Sequence, residues 1–156
     1  MEGTRVLASS AAVQDDDALM VLAGAVEDAS EHPIARAVAD AARRAHGSLP
    51  RVDDFTSAAG GGVRGSVVMN GSAHDVAVGQ ASWLTDLGVD VPSDHLEVVS
   101  HAQEGGATSI LVAVNGISAG LLTLRDRPKA DAAASIAELR EMGLRPILLT
   151  GDAAPV

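Results

Sequence analysis

The chain has 156 residues, enough for one domain or for one domain with part of a second. Its formal net charge is −10, and only one of its eleven basic residues is a lysine, which argues against a surface for DNA or RNA. With no cysteine and five scattered histidines, the sequence predicts no disulfide, no cysteine nucleophile and no bound transition metal. No stretch approaches the ~20 apolar residues of a membrane helix, so we expect this chain to be soluble.

A short strand is predicted around residues 5–8, and two helices are predicted between residues 15 and 45. Apolar residues recur there at spacings of three and four, which lines up one face of a helix. A polar joint, SEHP at residues 30–33, interrupts the pattern. Because proline lacks an N–H, Pro33 suits the first position of a new helix, and the chain must break at His32.

The break leaves unpaired N–H groups at the start of the second helix, beside the His32 imidazole and close in sequence to Glu27. Such a corner can hold a ligand. It can also be an ordinary helix corner, in which Ser30 or His32 satisfies the backbone donors and Glu27 is solvated. The spacing alone favours the second interpretation.

Glycines dominate the next polar stretch, AAGGGVRG at residues 58–65. Gly60, Gly62 and Gly65 satisfy the GxGxxG pattern of dinucleotide-binding folds, which requires a following helix. An Asn-Gly pair at residues 70–71, between two strand-like runs, predicts a hairpin instead and excludes the dinucleotide fold. The glycines either form a plain turn or let the backbone approach a ligand where a Cβ would block it.

The second half of the chain repeats this strand chemistry and then changes character. A helix is predicted at residues 92–104, and a second Asn-Gly hairpin at residues 108–124. From about residue 120 the order strand, helix, strand indicates a β-α-β unit. Its last strand, residues 146–149, is fully apolar and is therefore expected to be a buried parallel strand.

The joint SEHPIARAV resembles the Ser-Glu-His-Pro signature in the nucleotide-binding domain of heavy-metal-transporting P-type ATPases, copper pumps in particular. Three further stretches resemble motifs of that family in the same order: the Gly-x-Gly at residues 60–62, GQASW at residues 79–83 and the unit at residues 126–152. Gln80 stands where the family usually has Asn, and Ala153 stands where an Asn usually follows Thr-Gly-Asp. The resemblance covers nearly the whole chain.

The resemblance implies an α+β fold, in which an antiparallel β-sheet with flanking helices forms a nucleotide-binding domain at residues 1–119. A partial α/β unit of the haloacid-dehalogenase-like type, the end of a phosphorylation domain, would follow at residues 120–156. Glu27 and His32 would recognise adenine, and ATP and Mg²⁺ are the implied cofactors. The implied site residues are, on the nucleotide side, Glu27, His32, Gly60, Gly62, Val63 and Gln80, and, on the phosphate and magnesium side, Asp126, Thr150, Gly151 and Asp152.

The same resemblance implies partners and a location. The partners are ATP or ADP and the remaining phosphorylation, actuator and membrane domains of a full-length pump, and no nucleic acid. This chain would then be a cytosolic domain of an integral plasma-membrane transporter.

Because a triphosphate gains little from an acidic surface, its affinity should come chiefly from the base and ribose, with the γ-phosphate projecting outward.

Two other functions remain open. A stand-alone phosphatase of the haloacid-dehalogenase-like group is compatible with the unit at residues 126–152, but it would need an Asp-x-Asp nucleophile segment. A non-enzymatic interaction module is compatible with an acidic domain of two hairpins. A nucleotide titration that shows no preference for adenine would favour the interaction module.

Our first prediction concerns turnover. Gly3 and Val6 resemble the residues that follow the family's phosphorylation loop, so we expect the phosphorylated aspartate to lie before this chain and no catalytic residue within it. Phosphoryl transfer to water or protein then lacks its acceptor. We predict that the purified chain binds ATP without hydrolysing it and forms no acid-stable phosphoenzyme. Magnesium-dependent phosphate release that a substitution within the chain abolishes would contradict this prediction.

Overall fold

The computed structural model describes residues 5–8, 16–124 and 132–147 of the chain. Among these residues, no helix is long and apolar enough to cross a lipid bilayer. In chain order the elements are β1 (Arg5–Ala8), α1 (Asp16–Glu27), α2 (Pro33–His46), β2 (Val52–Ala58), β3 (Gly62–Met69), β4 (Ser72–Gly79), α3 (Ala81–Asp86), α4 (Ser93–Glu104), β5 (Thr108–Val114), β6 (Ile117–Leu124) and α5 (Ala132–Glu141).

The six strands of these ranges form one antiparallel sheet in the order β1-β6-β5-β4-β3-β2. Asn-Gly turns close the β3–β4 and β5–β6 hairpins, with φ of 52° and 81° at Asn70 and Gly71, and 52° and 79° at Asn115 and Gly116. Positive φ at both central residues gives the turn a twist that matches the flanking strands. Both predicted hairpins and the predicted α+β class are confirmed.

Helices cover both faces of the sheet. On one face α1 packs against β3 and β4, and α2 packs against α1. On the other face α3 and α4 pack against the middle strands. Because successive side chains of a strand point to opposite faces, one strand serves both layers. In β5, Val112 belongs to the core under α1, whereas Leu111 belongs to the core under α3. The largest fully buried side chains under α1 are Leu19, Leu22, Val26, Val38, Val67, Val76, Val78, Val112 and Leu122.

The contact between α1 and α2 is close because small residues meet there. A Cβ added at Gly24 would lie 2.4 Å from the Cβ of Ala42, so only glycine allows this separation of the two helices. Just beyond the end of α1, Asp28 forms an ion pair with Arg43 of α2. These contacts determine the angle of the SEHP joint.

The tail of the chain agrees in part with the predicted β-α-β unit. Its helix is present as α5, but residues 144–147 form no strand, and Ile147 is 77% exposed. The predicted buried strand at residues 146–149 is therefore wrong for Pro146 and Ile147, because no described strand lies beside them; Leu148 and Leu149 fall outside the described residues. The expected division between residues 119 and 120 falls within β6 and stays a prediction.

Trp83 of α3 packs against a glycine patch where β3 and β4 meet. A Cβ at Gly62 would lie 2.2 Å from the Val78 carbonyl oxygen and 2.7 Å from the Trp83 ring. A Cβ at Gly79 would lie 2.4 Å from the Gly61 carbonyl oxygen and 2.8 Å from the same ring. Glycine is required at both positions because real Cβ atoms do not approach backbone this closely.

We predict that Gly79→Ala lowers the free energy of unfolding by about 2–3 kcal/mol, since the added methyl group must displace backbone as well as Trp83. Gly60→Ala is the matched control from the neighbouring turn: its Cβ would meet nothing within 4 Å, so only its φ of +72° opposes the change. That strain costs about 1–2 kcal/mol. Urea denaturation of both variants tests the prediction, which fails if Gly79→Ala is the milder one.

Candidate functional site

A cleft of about 470 Å³ lies between the joint of α1 and α2 and the turn that connects β2 to β3. All six residues that the sequence assigned to the nucleotide side line it: Glu27, His32, Gly60, Gly62, Val63 and Gln80. The structure thus collects residues from two helices, one turn and the ends of two strands at one place. The other lining residues are Ser30, Ile34, Ala35, Ser57, Ala58, Ala59, Gly61, Val78, Gly79 and Ile110.

Glu27 is the last residue of α1 and is 6% exposed. Among the residues that the structure describes, none forms a hydrogen bond or ion pair with its carboxyl group. Burial disfavours the charged form and raises the pKa of Glu27 from 4.5 to about 7. The alternative in which Glu27 is solvated is wrong, because α1 ends beneath the joint and not at the surface.

His32 caps α2. The ring Nδ1 of His32 accepts a hydrogen bond from the backbone N–H of Ile34 at 3.3 Å, and the backbone N–H of His32 donates to Ser30 Oγ at 3.3 Å. With Nδ1 as acceptor, the proton of the neutral ring is assigned to Nε2, which remains available as a donor. His32 is exposed and lines the cleft, so capping and ligand contact are compatible in one side chain.

The two predicted glycines serve different structural purposes. Gly60 has φ of +72° and occupies the turn closed by the hydrogen bond from Gly61 N–H to Ala58 O at 3.0 Å. At Gly62 an added Cβ would meet Trp83, which packs in the core on the other face of the sheet from Val63. Both glycines line the cleft with backbone only, and the missing Cβ of Gly62 makes room for Trp83 and not for a ligand.

Gln80 stands at the start of α3, opposite the joint. Its N–H donates to the Gly61 carbonyl oxygen at 2.9 Å, which extends the pairing of β3 and β4 by one residue. Its side chain makes no capping hydrogen bond and is exposed at the cleft. An amide in this position can donate to or accept from a ligand.

The floor of the cleft is apolar; Val63 was assigned to the site from the sequence, whereas Val78 and Ile110 were missed. Val63, Val78 and Ile110 come from three adjacent strands, and all three side chains face α1. Ser57 was missed as well. A period-two pattern within each strand hinted at this shared face, but strand order was needed to bring the strands together.

Among the described residues that line the cleft, none is lysine or arginine. In the described ranges, no group of three or more His, Asp or Glu residues is arranged to hold a metal ion. The four residues assigned by the sequence to phosphate and magnesium, Asp126, Thr150, Gly151 and Asp152, lie outside those ranges. The described lining therefore presents one carboxyl group, one imidazole, amide, hydroxyl and backbone groups, and an apolar floor.

Glu27 makes stability depend on pH. Its pKa is higher in the folded chain, so the folded chain binds more protons than the unfolded chain between pH 4.5 and about 7, and stability falls as the pH rises through that window. The shift corresponds to about 3 kcal/mol. Glu27→Gln has no proton to lose, so we predict that it stabilises the chain by up to about 3 kcal/mol at pH 8 and has little effect at pH 5.

Urea denaturation at both pH values measures this difference, with Glu97→Gln on the exposed side of α4 as the control. The control should change stability little at either pH. Equal pH dependence in wild type and Glu27→Gln would show that Glu27 titrates as an ordinary carboxyl group.

Comparison with known proteins agrees with this architecture. Residues 4–156 match the family model of the haloacid dehalogenase-like hydrolases. The cation-transporting P-type ATPase B of Mycobacterium tuberculosis (strain ATCC 25618 / H37Rv) is 40% identical over 147 residues, which are 92% of this chain and 18% of that protein. The chain thus spans less than a fifth of the length of this relative.

Two solved structures have a similar fold. A zinc-transporting PIB-type ATPase in the E2.Pi state matches with a TM-score of 0.70 at 28% identity, over 97% of this chain and 24% of that one. The N-domain of HMA6, a copper-transporting P-type ATPase, matches with a TM-score of 0.60 at 23% identity, over 76% of this chain and 93% of that one. The resemblance seen in the sequence is confirmed: the chain belongs to the haloacid dehalogenase-like hydrolase family, and its relatives are metal-transporting P-type ATPases.

Proposed function

We propose that this chain is the ATP-binding cytosolic domain of a heavy-metal-translocating P-type ATPase of the plasma membrane. It would bind adenine and present the γ-phosphate to an aspartate of the phosphorylation domain. One observation carries the proposal: a single cleft collects all six residues that the family motifs assign to the nucleotide. The SEHP joint favours copper as the transported metal. We retain residues 1–119 as the nucleotide-binding domain and residues 120–156 as part of the phosphorylation domain.

The chemistry of the cleft suits a purine. The apolar floor, which includes Val63, Val78 and Ile110, can bury a flat ring. Glu27 can accept a hydrogen bond from an exocyclic amino group, and the Nε2–H of His32 can donate to a ring nitrogen or to the ribose. Gln80 faces them from the opposite wall and supplies an amide to the ribose or the base.

The phosphates would lie outside this cleft. The described lining has no lysine or arginine and the chain has a net charge of −10, so this part of the cleft offers a triphosphate little electrostatic attraction. We assign Asp126, Thr150, Gly151 and Asp152 to the phosphate side, where they would hold Mg²⁺, which would offset part of the phosphate charge. Transfer then depends on positioning the γ-phosphate against the remaining phosphorylation, actuator and membrane domains of a full-length pump.

His32 provides the test, because its ring and its capping bond can be separated. His32→Asn keeps a side-chain acceptor at the cap, since Asn is a favourable N-cap residue, but removes the ring. We predict an unchanged melting temperature and a loss of about 1–2 kcal/mol, roughly ten-fold, in the affinity for ATP, ADP and AMP alike. The loss should be equal for the three nucleotides because they share the base that His32 contacts.

Calorimetric titration with each nucleotide, together with thermal unfolding, measures both effects. Glu31→Gln, also exposed at the joint but absent from the cleft lining, is the control and should retain nucleotide affinity. A folded His32→Asn variant with unchanged AMP affinity would rule out His32 as an adenine contact. Absence of any binding by the wild-type chain would rule out the proposed function itself.

A further inference from the structure

Glu27 occupies a position that destabilises a negative charge on its side chain. It is buried at the C-terminal end of α1, where the helix dipole is negative and further disfavours a carboxylate. No described residue donates a hydrogen bond to its carboxyl group or pairs with it. A carboxyl group in such surroundings is more stable as the neutral acid.

Among the described residues that line the cleft, none is a lysine or arginine that could pair with Glu27. His32 is the other titratable side chain there, and its Nδ1 is engaged by the Ile34 N–H. Gln80 is neutral, and β2, β3, β4 and β5 contribute only neutral side chains and backbone to the cleft. Burial therefore raises the pKa of Glu27 without an opposing ion pair from the described lining.

Among the side chains that the structure describes, the titratable groups on the elements packed against α1 are paired elsewhere or exposed, except His74, whose Nδ1 is buried without a hydrogen-bond partner. Arg43 of α2 pairs with Asp28, and Arg64 of β3 forms a two-pronged ion pair with Asp75 of β4. His74 lies on the α1 face of β4, four residues before Val78 and so roughly 13 Å along the strand. The others are His46, which faces Asp17 near the start of α1, and the exposed Arg36, Asp40, Arg44, Asp53 and Asp54.

The protonation state of a carboxyl group decides which purine edge it matches. A neutral acid has one donor and one acceptor, and so complements adenine, whose amino group donates beside a ring nitrogen that accepts. An ionised carboxylate has acceptors only. It can accept once from the adenine amino group but faces the lone pair of the ring nitrogen, whereas guanine offers it two adjacent donors, the N1–H and the 2-amino group.

We propose that Glu27 binds adenine as a neutral carboxylic acid, its O–H donating to a ring nitrogen while its carbonyl oxygen accepts from the 6-amino group. Adenine selectivity over guanine then depends on this proton and falls as the proton is lost. The inference rests on the proposed function, since it specifies how the same cleft recognises adenine. The pKa of about 7 that burial confers on Glu27 places the loss near neutral pH.

The test uses adenosine and guanosine, which lack a titrating phosphate, with the 156-residue chain at pH 6 and pH 8. If only the neutral form binds adenine in full, adenosine affinity falls about tenfold between the two pH values. Guanosine affinity stays level or rises because both forms of Glu27 can make two hydrogen bonds to it. The ratio of adenosine to guanosine affinity therefore falls by about tenfold or more.

Proton uptake is an independent readout. Above pH 7 the free chain has lost the proton that the complex requires, so each adenosine bound at pH 8 should bring about one proton from the buffer, against about 0.1 at pH 6. Titration calorimetry in two buffers of different ionisation enthalpy measures this number. A value near zero at both pH values would overturn the inference.

Two variants show whether Glu27 or His32 binds the proton that adenosine binding requires. Glu27→Gln permanently carries one donor face and one acceptor, so it should bind adenosine at pH 6 and pH 8 with the affinity of the wild type at pH 6, and without proton uptake. His32→Asn removes the other titratable group of the cleft and should keep the full pH dependence, at lower affinity. If the pH dependence of adenosine affinity persists in Glu27→Gln but disappears in His32→Asn, the proton belongs to His32 and the inference is overturned.

The failure of this inference differs from the failure of the proposed function. If adenosine binds with the same affinity and selectivity at both pH values, Glu27 acts as an ordinary carboxylate and the adenine site stands. If adenosine binds at neither pH, and Glu27→Gln and His32→Asn change nothing, the cleft is not an adenine site and both proposals fall.

Discussion

The proline of the SEHP joint is the constraint on which the cleft depends. Because Pro33 has no N–H and its ring clashes with a preceding helical turn, α1 and α2 cannot merge into one helix. The chain turns there, which puts Glu27 at the end of one helix and His32 at the cap of the next. The close packing of α1 on α2 and the ion pair between Asp28 and Arg43 then keep these two side chains over the same end of the sheet.

The opposite wall is built by packing on both faces of the sheet at once. The β2–β3 turn needs the positive φ of Gly60. Where β3 pairs with β4, Gly62 and Gly79 leave room for Trp83 to pack against the strands. This packing is structural. Its consequence for the cleft is indirect: the glycine backbone forms the rim, while the valines of the same strands point to the opposite face of the sheet and form the floor.

Burial of an unpaired carboxyl group costs stability near neutral pH, and a domain that only had to fold would gain from an amide at that position. Such a cost is typical of functional sites, where local rules of stability are broken. In the proposed function the same group recognises the base, while the acidic surface and the lack of basic side chains in the cleft leave the phosphates to Mg²⁺ and to other domains.

The sequence by itself determined the first two helices, the break between them and the two hairpins. Pro33 and the two Asn-Gly pairs impose local backbone geometry whatever surrounds them, so α1, α2 and both hairpins could be predicted, and the motif resemblance indicated which residues belong to one site. Only the tertiary structure decided the environment of those residues. That Glu27 is buried and not solvated, that the glycine at position 62 faces Trp83, and that three strands provide a common floor all depend on strand order and helix packing. These are contacts between distant parts of the chain, and no local pattern encodes the solvent exposure of a side chain at the end of a helix.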